Sequence, residues 1–193
     1  MAEFVVNEIL LTIPEDMLTG QLRNSFTSGR YESSEAEALT RHLRPKDRYL
    51  DLGAGAGYLL SLAGAKLGVS GVTGVEAGPA MVPVARENLQ RNAVEGAEVH
   101  WGAVVPDAFV GETITFMVRR SFWASSLSPP EKAANLTPTE VPALRFGALM
   151  RAVRPTVVSI DIEGGELDLF DVALPACLRL IVKSSWTSSS DTC

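Results

Sequence analysis

Tyr49-Leu50-Asp51-Leu52-Gly53-Ala54-Gly55-Ala56-Gly57-Tyr58 is the stretch that decides the fold. A short apolar strand, Tyr49 to Leu52, runs straight into glycines at alternate positions. A helical run, Tyr58 to Leu67, follows and stops at Gly68. Glycines there permit positive φ where a strand turns into a helix, and they let backbone come close to a ligand. The same strand-then-helix rhythm continues downstream. Val72 to Glu76 reads as a second strand and Pro79 to Asn92 as a helix with proline in its first turn, where the missing N–H costs little. Ala97 to Ala103 reads as a third strand. Thr156 to Ile162 is a continuous apolar run, as expected of a strand buried on both faces, and Leu178 to Val182 is a further strand. Strands alternating with helices at this spacing predict an α/β fold with a doubly wound, mostly parallel sheet.

The remaining segments fit around that frame. Phe4 to Ile13 alternates and predicts a strand or edge hairpin, ending at Pro14; Gln21 to Glu32 reads as irregular. Ser33-Ser34-Glu35-Ala36-Glu37 resembles a helix start, with a serine cap and acids in the first turn, and the helix should stop before Pro45. Thr113 to Val118 has no helix before it, so an antiparallel edge pairing is expected. Arg119 to Pro138 is long and rich in serine and proline and predicts a loop or lid, with Trp123 inside it; Phe146 to Val153 predicts a short helix. Residues 184–193 form a polar, serine-rich tail. The expected organisation is an N-terminal extension over residues 1–30, a domain over 31–183, and the tail.

Bulk composition mainly excludes. A formal charge of −6 and a pI near 5.0 argue against nonspecific nucleic-acid binding, which needs a basic face. Cys177 and Cys193 form no CxxC pair or metal-ligand cluster, so neither a metal site nor a disulfide framework is expected. The first 17 residues carry acids and no base, unlike a signal peptide, and no apolar run approaches the ~18 residues a membrane span needs. These observations point to a cytoplasmic protein without membrane partners. They leave the oligomeric state open.

Three ligand classes compete for a glycine loop in this position. The dinucleotide fingerprint G-x-G-x-x-G fails at Tyr58, where it requires glycine, and the phosphate loop fails for want of a Gly-Lys-Ser/Thr ending. What remains is an acid, Asp51, just before the first glycine, and a second acid, Glu76, closing the second strand. Asp51 would repel an anion and suits a cationic amine or sulfonium. Glu76 stands where a ribose diol is usually gripped, and a carboxylate has acceptor sites for both hydroxyls. The plain alternative is a left-handed turn that merely links strand to helix.

A second constellation closes the other long strand: Ser159-Ile160-Asp161-Ile162-Glu163-Gly164-Gly165-Glu166. Along a strand Asp161 and Glu163 share a face, and burying both costs several kcal/mol unless they bind something. Glu166 at a helix start serves equally as a capping acid. In doubly wound sheets ligands sit at the carboxyl ends of strands where strand order reverses. If the Asp161 strand neighbours the Asp51 strand across that reversal, Asp51, Gly55, Asp161 and Glu163 line one crevice. His100, within the third strand, reads as packed or half-buried rather than catalytic.

The first motif resembles that of class I S-adenosylmethionine-dependent methyltransferases. With Ile160-Asp161-Ile162-Glu163-Gly164-Gly165-Glu166, Tyr31-Glu32 and Val141-Pro142-Ala143-Leu144, the chain resembles their FkbM family from about Arg30 to Val182. The resemblance implies a Rossmann-like methyltransferase sheet, here lacking the closing antiparallel C-terminal strands. It implies S-adenosylmethionine as cofactor, with Gly53, Ala54, Gly55, Gly57 and Tyr58 around the methionine moiety and Asp51 facing its cationic end. Glu76 and Ala77 would hold the ribose, and Gly102 and Ala103 would neighbour the adenine. It further implies methyl transfer to a hydroxyl of a small-molecule or sugar-like acceptor, with Asp161 or Glu163 as base and Trp123 and Glu166 near the acceptor. Departures are Ser159, where the family often has lysine, and Val182-Lys183-Ser184, where an acid and histidine are usual. A degenerate module that binds cofactor without turnover is the rival reading, and a dinucleotide oxidoreductase a third.

Overall fold

A computed structural model describes residues 1–119, 136–162, 169 and 178–182. The chain opens with an antiparallel hairpin, β1 (Ala2–Val6) and β2 (Ile9–Ile13), closed by Asn7 and Glu8, both at positive φ. Two positive-φ residues make the turn whose twist matches paired strands, and asparagine favours it. Then come α1 (Gly20–Thr27), α2 (Ser33–His42) and β3 (Arg48–Leu52). Helix α3 (Tyr58–Ser61) continues as a π-helical segment, Leu62–Lys66. It is followed by β4 (Gly71–Glu76), α4 (Met81–Arg91), β5 (Glu98–Trp101) and β6 (Ala103–Val105). The rest comprises β7 (Thr113–Arg119), β8 (Leu136–Arg145), α5 (Phe146–Val153), β9 (Val157–Ile160) and β10 (Arg179–Val182). No described helix is long and apolar enough to cross a membrane.

Five strands form the central sheet in the order β10-β9-β3-β4-β5, every pairing parallel. From β3 the chain winds one way to β4 and β5, then returns to β9 and β10 on the other side. The order therefore reverses between β3 and β9. This is a Rossmann-like doubly wound sheet. Side chains alternate across it as strand geometry demands. Tyr49 and Val157 enter the core with α1, α2, α3 and α4, whereas Leu50, Leu52, Val158 and Ile160 enter the opposite core with Phe146 of α5. Asp51 and Ser159, directly paired in register, fall on the Tyr49 face.

Several elements differ from the sequence-based expectation. Residues 21–32, expected to be irregular, contain most of α1. Thr19 caps it by accepting the Leu22 N–H, and Leu22 and Phe26, one turn apart, bury its inner face. Phe26 stacks between Phe4 and Tyr31, with centroids at 4.8 and 4.2 Å. Helix α2 has no serine cap; its N-cap is Glu32 in the left-handed region. Helix α4 begins at Met81, so Pro79 precedes it. The third strand is two, β5 and β6, broken at Gly102, where a side chain would meet the Pro142 carbonyl and Leu144 of β8. Part of the expected 119–138 loop is strand: β8 begins at Leu136 and pairs antiparallel with β7, while β6 pairs parallel with β8. Antiparallel pairing thus occurs upstream of β9, and no described strand follows β10. Trp123 lies outside the described residues.

Candidate functional site

The glycine loop joins the carboxyl end of β3 to α3, beside the point where strand order reverses. All three glycines have positive φ, at 93, 52 and 78° for Gly53, Gly55 and Gly57. Their reasons differ. A Cβ on Gly53 would lie 2.1 Å from the Asp161 carbonyl oxygen, so Gly53 lets β9 close against β3. A Cβ on Gly57 would lie 3.1 Å from Ala85 Cα, so Gly57 seats α4. Gly55 faces a functional partner: its N–H donates to Glu76 Oε2 at 2.8 Å. The Gly53 and Ala54 amides both donate to the Val75 carbonyl at 2.9 Å, which folds the loop back over β4.

Asp51 is 2% exposed at the base of the crevice. The Ser159 hydroxyl donates to its Oδ1, and Tyr49 Oη lies 2.6 Å from the same hydroxyl. Burial first, with the nearby Asp161 and Glu76 carboxylates adding to it, pushes the Asp51 carboxyl up to about 7 against the hydrogen bonds from Ser159 and Tyr49 that lower it. Hydroxyls stabilise this carboxylate only in part because they bring no positive charge. The serine that stands where the resembling family often has lysine is thus Asp51's hydrogen-bond partner.

Glu76 ends β4 and is partly buried. One carboxylate oxygen accepts Gly55 N–H and the other accepts Gly78 N–H at 2.6 Å. Burial raises its pKa, with those backbone bonds opposing and Asp161 adding to the rise. The Ala77 amide adds a third backbone bond, so Glu76 fixes the loop and keeps acceptor capacity for a further donor.

Tyr31 and Glu32 enter from the start of α2. The Tyr31 phenol is 3% exposed and held well above its ordinary pKa, by burial first, then by Glu32 through charge and hydrogen bonding, then by Asp161 and Glu76. Glu32, Glu35, Asp51 and Asp161 line a narrow crevice with Gly53, Leu59, Ser159, Ile160 and Ile181. No described lining residue is basic. Among the described residues there is also no group of three histidine, cysteine or acidic side chains placed to hold a metal.

Of the expected site residues, Asp51, Gly53, Gly55, Glu76 and Asp161 converge here. Strand β9 ends at Ile160, so Asp161 lies just past it, and its N–H donates to the Leu52 carbonyl at 2.8 Å. Ala54 is buried beneath the loop. Tyr58 points into the core, edge-on to Tyr31 at 5.7 Å, with its hydroxyl accepting from Asn7 at 2.6 Å. Ala77 follows Glu76, and its carbonyl accepts the Trp101 indole N–H at 3.2 Å; Gly102 N–H donates to the Glu76 carbonyl at 2.9 Å, and Ala103 is buried. Ala77, Gly102 and Ala103 thus adjoin the far side of Glu76. Glu163 and Glu166 lie outside the described residues. His100 is exposed and paired with Glu98 at 3.3 Å, not packed. Sequence reasoning overlooked Glu35 and the buried Asn88. Glu35 looked like a first-turn acid, and Asn88 like part of an ordinary amphipathic helix.

Comparison with known proteins bears on the same segment. The ribosomal protein L11 methyltransferase (PrmA) family matches residues 28–113, from the approach to α2 through β6. The match covers less than half of the chain and marks a likeness to methyltransferases in that segment. The ribosomal protein L11 methyltransferase of Thermus thermophilus is 43% identical over 72 residues, covering 36% of this chain and 28% of that protein. Its namesake from Thermosipho africanus is 38% identical over 73 residues, covering 37% and 28%. The chain thus spans little more than a quarter of the length of these relatives. Among solved structures, an RNA methyltransferase from Salinibacter ruber with S-adenosyl-L-homocysteine is 26% identical, with a TM-score of 0.34 over 37% of this chain and 48% of that one. The matched segment carries Asp51, the glycines and Glu76, and ends before β8, α5 and Asp161.

Proposed function

We propose that this chain binds S-adenosylmethionine at the reversal between β3 and β9 and transfers its methyl group to an acceptor hydroxyl. The observation that carries the reading is the acidic crevice, where Asp51, Asp161, Glu32 and Glu35 meet beside a glycine loop pinned by Glu76. A set of buried and half-buried acids with no base among the described lining residues favours a cationic ligand, and the remaining acceptor capacity of Glu76 favours a ligand hydroxyl. When bound, the cofactor supplies an activated methyl group on a positively charged sulfur. Glu76 would grip the ribose, Asp51 would face the cationic end, and the loop amides would hold the methionine moiety. Ala77, Gly102 and Ala103 would border the adenine. Methyl transfer is an in-line displacement, so most of the catalysis is positioning, with a base for a hydroxyl nucleophile. Asp161 is the described carboxylate at the crevice mouth suited to orient the acceptor and take its proton.

The relatives are named for a ribosomal protein acceptor, but their similarity lies in the cofactor half. Acceptor choice then falls to described elements beyond that segment, β8, α5 and Asp161 just past β9. There the FkbM-like residues Val141 to Leu144 sit in β8, ahead of α5 and β9, in the order that family's pattern requires. This supports oxygen-directed transfer to a small or sugar-like acceptor over methylation of a ribosomal protein. Calorimetry of the full chain with S-adenosylmethionine and S-adenosylhomocysteine tests the cofactor reading, with one saturable site expected. Absence of heat with both would overturn it. Radiolabelled methyl transfer to sugar hydroxyls, compared with purified ribosomal protein, tests the acceptor; label entering only the protein would reverse the preference. Binding without transfer to any acceptor would support a module that holds cofactor without turnover.

A further inference from the structure

Asn88, on α4, is fully buried, and its amide joins two parts of the chain. Its Oδ1 accepts the Thr12 N–H at 2.8 Å, and its Nδ2 donates to the Ala56 carbonyl of the glycine loop at 2.9 Å and to the Thr12 carbonyl at 3.3 Å. One turn later, Asn92 repeats only the hairpin half. Its Oδ1 accepts Leu10 N–H at 3.0 Å and its Nδ2 donates to the Leu10 carbonyl at 2.7 Å. Alternate residues of a strand offer their backbone groups to the same side. Two amides four residues apart on a helix therefore stand in for a neighbouring strand along β2. The difference between them is that Asn88 also holds the loop.

A second link runs from the hairpin turn. Asn7 Nδ2 donates to the Tyr58 hydroxyl at 2.6 Å, immediately after Gly57. The segment 55–58 is thus fixed at every residue: Gly55 by Glu76, Ala56 by Asn88, Gly57 by contact with Ala85, and Tyr58 by Asn7. Two of those four restraints lead to the N-terminal hairpin. We propose that the hairpin is a working part of the cofactor site and that Asn88 is a positioning residue transmitting the hairpin's seating to the glycine loop. The proposal rests on the cofactor reading above. Coupling of this kind is reciprocal, so ligand at the loop also tightens the hairpin.

The test compares Asn88→Ala with Asn92→Ala, which removes the hydrogen bonds to Leu10 while Asn88 still seats the hairpin against the loop, and with Tyr58→Phe, which removes only the hydroxyl that Asn7 holds. Two readouts are taken: calorimetric affinity for S-adenosylhomocysteine, and amide hydrogen exchange at Gly55 and Gly57 in ligand-free protein. Loss of one loop-holding hydrogen bond predicts roughly tenfold weaker binding in Asn88→Ala, a smaller loss in Tyr58→Phe, and a change under about twofold in Asn92→Ala. Exchange at Gly55 and Gly57 should speed up in the first two variants and not in the third. Affinity that merely follows melting temperature across Asn88→Ala and Asn92→Ala overturns the proposal, as does unchanged loop exchange in Asn88→Ala. Should wild type bind no S-adenosylhomocysteine, the cofactor reading falls and the exchange data alone decide whether the hairpin positions the loop. Should Asn88→Ala fail to fold, Tyr58→Phe against Asn92→Ala decides it.

Discussion

Replacing Asp51 with asparagine isolates the electrostatic cost built into the crevice. Asp51 is buried, bonded to hydroxyls and flanked by acids, so its folded-state pKa is raised from 3.8 to about 7. The sign follows from proton counting. Between those two values the folded protein holds a proton that the unfolded chain has lost, so stability falls as pH rises through the window. The contribution is fully present below about pH 4 and lost above about pH 7. A displacement of about three pH units at 1.36 kcal/mol each amounts to about 4 kcal/mol. Asparagine keeps an oxygen to accept from Ser159 and removes the charge. In urea unfolding of the ligand-free protein, Asp51→Asn should therefore match wild type near pH 4 and exceed it by about 3–4 kcal/mol at pH 8. A cationic ligand reverses the preference, because it favours the ionised carboxylate. Wild-type affinity for S-adenosylmethionine should then rise from pH 5.5 to 7.5 with proton release, and Asp51→Asn should bind weakly and without that pH dependence. Parallel stability curves for the two proteins from pH 4 to 8 would refute the reasoning, because the buried charge would then cost nothing.

Other expectations follow from the same contacts. Glu76→Ala should weaken S-adenosylhomocysteine binding by about 1–3 kcal/mol through loss of charge-assisted hydrogen bonds; calorimetry showing unchanged affinity would remove the ribose role. Asp161→Asn should lower turnover more than cofactor binding, and equal losses in single-turnover rate and affinity would argue against a part in the chemistry. Gly53→Ala places a methyl group against the Asp161 carbonyl at positive φ and should destabilise the fold by about 3–5 kcal/mol, measurable by thermal unfolding.

The parallel sheet and the crevice acids on β3 and β4 were legible because they depend on local, periodic signals, whereas the adjacency of β9 and β3 came from the resemblance. Apolar strand, glycine turn and helix follow one another within a few residues, and side chains alternate with a period of 2. Helix α1 was not legible. Its inward face is only Leu22 and Phe26, and what secures it is the stacking of Phe26 between Phe4 and Tyr31, a contact across three elements. The α2 cap was misread for a similar reason. Ser33 carries a good capping signal, but Glu32 takes the left-handed position because Tyr31 must point into the core. The break between β5 and β6 depends on β8 passing over Gly102, and β8 lies about forty residues further along.

The glycine motif also compresses different physical demands into one pattern. From sequence, Gly53, Gly55 and Gly57 all suggest backbone bared for a ligand. In the folded chain, Gly53 is required by β9 and Gly57 by α4, while Gly55 turns its N–H to Glu76. A strand–helix turn with no ligand would explain the first and third glycines equally well. What distinguishes this site from such a turn is the carboxylate chemistry around it. Asp51 is buried with no cation beside it in the described crevice lining, which also holds Leu59, Ile160 and Ile181. Glu76 is held on both oxygens by backbone amides and keeps some acceptor capacity. Those costs make sense where a positively charged ligand with a diol offsets them, and that argument rests on the acids rather than on the glycines that first drew attention to the loop.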